Sequence, residues 1–61
     1  MYHHAMGYRG YELEQKTLIV GCQVIITKND AFVRNGSILK EMKDAIAEAQ
    51  AYIDSLMDPA P

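Results

Sequence analysis

The stretch TLIVGCQVIIT, residues Thr17–Thr27, decides how this chain folds, because it is the densest apolar run in the sequence and can be read in two ways. Nearly every position is apolar and several are β-branched, the pattern of a central strand covered on both faces. On that reading the even positions Leu18, Val20, Cys22, Val24 and Ile26 face the core. The odd positions are mixed, and two of them, Ile19 and Ile25, place apolar side chains on the outer sheet face. Gly21 offers the other reading. Glycine at the first central position of a two-residue turn would split the run into two short strands. A bulge or bend is the commoner role of a lone glycine within a strand.

The flanking sequence supplies the rest of a small fold. Upstream, Tyr11 and Leu13 alternate with Glu12 and Glu14 at the period of a half-buried strand. Downstream, Lys28-Asn29-Asp30 is a turn signal, since Asn and Asp tolerate left-handed backbone, and it leads into a short strand over residues 31–34. Asn35-Gly36-Ser37 then breaks the strand and opens a helix, with Ser37 as its N-cap. A capping box is absent, because Lys40 and not Glu follows three residues later.

From Ser37 to Met57 the apolar residues Leu39, Met42, Ile46, Ala49, Ile53 and Leu56 fall on spacings of three and four. Ile38, Ala45 and Tyr52 widen the stripe to the breadth a helix uses to cover a sheet. The expected fold is α+β: a small three-stranded antiparallel sheet, four-stranded if the run divides at Gly21, with one C-terminal helix packed on one face. Such a helix would be about 30 Å long, longer than short strands can cover, so part of its apolar length should overhang. Residues 1–58 read as a single mini-domain and residues 59–61, the end of the sequence DPAP, as a frayed tail.

With 61 residues, the chain is one domain that buries only about 60% of the surface its unfolded form exposes. A core of that size supplies roughly 3–5 kcal/mol and often needs a disulfide, a metal or a second subunit. Cys22 is the only cysteine. No intrachain disulfide can form, and a free thiol fits a reducing, cytoplasmic setting. No run approaches the ~20 apolar residues of a membrane span, and the start lacks the pattern of a signal peptide. The sequence HHAMG resembles an expression-tag remnant, which would put the natural start at Met6; a native start is the plainer reading.

Up to Gly36 there are four basic and three acidic residues, and beyond it two basic and five acidic, or +1 followed by −3. No basic stripe is available to neutralise phosphates, which disfavours duplex nucleic acid as a partner.

Chemistry-bearing residues are sparse. His3 and His4 with Cys22 lack the paired spacing of a zinc site. Ser37 has no base at a recognisable spacing, and Asp44 with Glu48 reads as a solvated pair on the polar helix face. Gly7-Tyr8-Arg9-Gly10 precedes a strand and lacks the following helix of a phosphate loop; its glycines would ease the chain into the first strand. No catalytic residue, metal or cofactor is indicated. Tyr2, Tyr8, Arg9 and Tyr11 are more suggestive, since Tyr and Arg dominate many protein interfaces. The expected interaction surface consists of Tyr8, Arg9, Ile19, Ile25, Tyr52 and Met57.

YRGYELE followed by a strand-rich middle and SILKEMKDAIAEAQAYID resembles small bacteriophage and prophage proteins that place a short sheet before a C-terminal helix. The resemblance implies an accessory or regulatory protein acting by binding, for example by blocking a host complex, and carries over no catalytic residue. The reading is thus a cytoplasmic, non-enzymatic protein-binding module, expected to be a homodimer with an unknown protein partner. The alternative is single-stranded nucleic-acid binding on the sheet through Tyr8, Arg9, Tyr11, Phe32 and Arg34, because aromatic side chains can stack on bases.

Overall fold

The computed structural model describes residues 4–58. His3, Tyr2 and the tail of residues 59–61 lie outside the described residues, as does the side chain of His4. The chain forms four strands, β1 (His4–Tyr8), β2 (Tyr11–Leu18), β3 (Gly21–Lys28) and β4 (Ala31–Asn35), and one helix, α1 (Met42–Met57). The strands make a single antiparallel sheet in the order β1-β2-β3-β4. The α+β class with a C-terminal helix on one sheet face is as read from the sequence; the sheet has four strands, but the fourth is β1, which the sequence reading did not place, and residues 11–14 and 17–18 belong to the single strand β2.

The run from Thr17 to Thr27 is not one strand. It turns at Ile19–Val20, where Leu18 pairs with Gly21, so its first two residues end β2 and the rest form β3. Gly21 is not inside the turn but follows it, with φ 151°. A Cβ there would lie 2.5 Å from the Leu39 carbonyl oxygen, so both backbone angle and space require glycine. The even-position rule holds past the turn, where Val24 and Ile26 are fully buried. It fails before it: Leu18 shares the face of Lys16, and Val20 is 75% exposed in the turn.

Arg9–Gly10 is likewise a turn and not a lead-in to the first strand. Both residues take positive φ, 51° and 88°, the left-handed pair that matches strand twist in a two-residue hairpin. Asn29 and Asp30, at 51° and 64°, repeat that geometry between β3 and β4. In β4 the register shifts, with Ile26 opposite Arg34 and Thr27 opposite Phe32. Val33 is therefore a bulge residue, and it packs against the core.

Helix α1 starts four residues later than a Ser37 cap would place it. After β4 the chain keeps running beside β3: the Gly36 amide donates to the Val24 carbonyl at 2.8 Å, and Cys22 and Leu39 exchange bonds of 2.6 and 2.8 Å. Those bonds hold residues 36–39 extended. Glu41 occupies the N-cap without a side-chain bond, and Asp44 supplies negative charge to the first turn, where it complements the helix dipole. The 16 residues of α1 span about 24 Å, close to the ~26 Å of an eight-residue strand. The helix is shorter than expected, and the apolar length it leaves uncovered is in its last turn, where Leu56 and Met57 are 48% and 44% exposed.

The core lies between α1 and the central strands. Leu13, Val24, Ile26, Ala45, Ala49 and Ile53 are each at most 2% exposed. Ala45, Ala49 and Ile53 recur every four residues, and the two alanines let the helix axis approach β2 and β3 closely. Met6, Tyr11, Met42, Ile46 and Tyr52 fill the flanks.

Candidate interaction site

Cross-strand partners point to the same side of a sheet, so the register assigns each residue a face. Leu13, Val24 and Ile26 look toward α1, together with Tyr8, Tyr11 and Arg34. The opposite face has no helix over it. On it Glu12 and Thr27 stand in one row with Phe32, Glu14 and Ile25 in the next, and Lys16 and Gln23 in the third. Ile25 is half-buried and Phe32 is 64% exposed. The half-buried Gln23 is held sideways, its Nε2 donating to the Gly36 carbonyl at 2.9 Å.

The sequence-read surface residues separate into four places. Tyr8 and Arg9 meet the C-terminal end of α1. The Tyr8 hydroxyl donates to Asp54 Oδ1 at 2.8 Å, and Arg9 Nη1 donates to Asp54 Oδ1 and Asp58 Oδ2, both at 2.8 Å. Arg9 Nη2 adds a 3.3 Å bond to Asp58 Oδ1. The guanidinium holds both carboxyls below the usual Asp range, while the hydrogen bond that Asp54 accepts from the phenol raises Tyr8 above its ordinary value. Met57, 44% exposed, is on the same helix end. Tyr52 lies under Arg34, with the guanidinium 4.5 Å from the ring centroid. Ile19 stands at the β2–β3 tip, not on the sheet face, and Ile25 lies on the open face.

Tyr8 and Arg9 are thus joined to the fold, and neither is a free anchor. The aromatic platform of the nucleic-acid reading is not assembled: Tyr8, Tyr11 and Arg34 face the helix side, whereas Phe32 lies on the opposite face. Tyr11 instead stacks with Lys28, whose Nζ is 4.8 Å from its centroid.

Ser37 and the Asp44/Glu48 pair also take structural places. The Ser37 amide donates to Glu48 Oε1 at 2.8 Å, and this bond pulls the Glu48 carboxyl below its ordinary pKa. Glu48 therefore pins the loop ahead of the helix. Among the described residues, no group of three or more His, Cys, Asp or Glu side chains is placed to hold a metal ion. No helix among them is long and apolar enough to cross a membrane.

The sequence places Ile19 and Ile25 outside the core but does not show that Ile19 belongs to an apolar tip with Val20 and Ile38, or that Ile25 shares its face with Phe32. Ile19 is fully exposed, Val20 75% and Ile38 49%, and Gly21 lies against Ile38, so the three cluster at one end of the sheet. Glu12, Lys16 and Phe32 join Ile25 on one face only once the Gly21 hairpin and the β4 bulge set the register. No protein-family model matches the chain, and comparisons with curated proteins and with solved structures found no similar protein.

Proposed function

We propose that the chain is a non-enzymatic protein-binding module that self-associates and presents its remaining surface to a partner protein in the cytoplasm. The carrying observation is the apolar surface left outside the core, with Ile19, Val20 and Phe32 each more than three-fifths exposed. Phe32 joins Ile25 on the uncovered sheet face, and Ile19 and Val20 stand at the β2–β3 tip, so apolar side chains meet solvent in two places. Turn positions ordinarily go to Gly, Asn, Asp or Ser, as they do at Asn29–Asp30, so Ile19–Val20 is costly for a turn and useful for a contact. An accessory role, such as blocking a host complex, is the form of that binding which the sequence resemblance to phage and prophage proteins implies.

Light scattering across a dilution series tests this reading. A mass twice that of the chain at high concentration, falling toward the monomer on dilution, supports it. A monomer at every concentration removes self-association.

A further inference from the structure

We propose that a second copy of the chain covers the open sheet face, the two sheets stacked with their strands antiparallel about a two-fold axis through the Glu14–Ile25 row. This rests on the self-association reading and names its surface.

The order of charges along β2 favours this arrangement. Along β2 the outward charges run Glu12, Glu14, Lys16, with about 7 Å between successive members. A two-fold axis lying between the sheets and crossing the strands at Glu14 reverses that order in the second copy. Glu12 then meets Lys16 of the second copy, and Lys16 meets its Glu12, so one operation makes two opposite-charge pairs. Stacking with the strands parallel makes no such pair: about an axis along β2 it sets Glu12 on Glu12 and Lys16 on Lys16, and about an axis between β2 and β3 it sets them on the uncharged Thr27 and Gln23.

The same axis aligns the apolar residues. Ile25 pairs with Glu14 across β2 and β3, so it lies on the axis row and meets Ile25 of the second copy. Phe32, one row away beyond Thr27, covers the flank. Sheets packed face to face stand about 10 Å apart, a gap that two isoleucines fill and that Glu and Lys side chains can bridge. The tip formed by Ile19, Val20 and Ile38 is a poorer self-contact, because tip-to-tip docking would gather Lys16 and Lys40 of both copies.

One contact opposes the arrangement: Glu14 also lies on the axis row and approaches its own counterpart. A four-stranded face of about 19 by 26 Å is at the small end of interface sizes. A concentration-dependent dimer is expected for both reasons.

Sedimentation velocity at low ionic strength, on the wild type, Glu12→Lys, Lys16→Glu and the double variant, tests the geometry. Each single reversal creates two like-charge contacts and should weaken dimerisation by about tenfold or more; the double variant should recover close to the wild-type dissociation constant. Both positions are exposed, and should a reversal fail to fold, Glu12→Gln and Lys16→Gln carry the same test, each weakening the dimer. A dimer unaffected by the single changes, or single losses that the double variant does not repair, overturns this surface while leaving self-association standing. A monomeric wild type overturns both.

Discussion

Gly21 has two reasons to be glycine, and neither is visible from its neighbours in sequence. Its φ of 151° is one that side chains rarely adopt, and a Cβ would meet the Leu39 carbonyl oxygen, which arrives from 18 positions along the chain. Gly21→Ala should cost about 1–3 kcal/mol in urea unfolding. Gly10→Ala, where no atom lies within 4 Å of the added carbon, should lose only the smaller backbone share. At the centre of the core, Ile53→Ala should cost about 2–5 kcal/mol, enough to leave much of a domain this small unfolded at 25 °C. Ile19→Glu, by contrast, should leave the monomer's stability within about 0.5 kcal/mol, because the side chain touches solvent and not core.

The Arg9 contacts predict a pH dependence at the same scale. Asp54 and Asp58 are held low in the folded chain, so the stability they contribute is present above their unfolded values of about 4 and disappears as the pH drops through their lower folded values. Tyr8 is shifted the other way; its contribution is kept below about pH 10 and lost as the pH rises through its raised folded value. The urea midpoint should hold from pH 7 to about 5 and decline below about 4, and Arg9→Gln should make that decline shallower. An unchanged acid limb in Arg9→Gln would show that these pairs do not contribute.

Among the elements, the helix was legible as a type and not as a boundary. Its apolar spacing identified α1 and its face, and Ala45, Ala49 and Ile53 are buried as part of the stripe read from periodicity. Its start was not legible, because Ser37 is a good cap by local chemistry, yet its amide goes to Glu48 and the chain from Gly36 to Leu39 goes to β3. Long-range backbone bonds outweighed a local preference. The strands tell the same story. The alternation over Tyr11–Glu14 and the Asn29–Asp30 turn were readable, whereas His4–Tyr8, with only Met6 and Tyr8 apolar on its inner side, carries too weak a pattern to announce β1. At this scale Ala49→Leu should destabilise by about 1–3 kcal/mol, since the helix approaches the sheet across that alanine and has no room for a larger side chain; a neutral effect would mean the contact is loose.

For the whole molecule, the sheet has one face closed by α1 and one face open, and the open face is where the sequence's mixed odd positions fall. Ile25 was placed there by parity alone. Glu12, Lys16 and Phe32 were not, because their common face depends on a turn that takes no glycine at its centre and on a bulge at Val33, both set by tertiary pairing. The candidate site was therefore legible one residue at a time, and its assembly required the register.

Amide and methyl chemical shifts followed by NMR from high to low protein concentration test most directly where this surface meets its own copy. Dilution-dependent shifts are expected at Glu12, Lys16, Ile25, Thr27 and Phe32, with the outward helix residues Ala47 and Ala51 unmoved. Shifts gathered instead on the helix, or around the Ile19–Val20 tip alone, would contradict the stacked-sheet dimer.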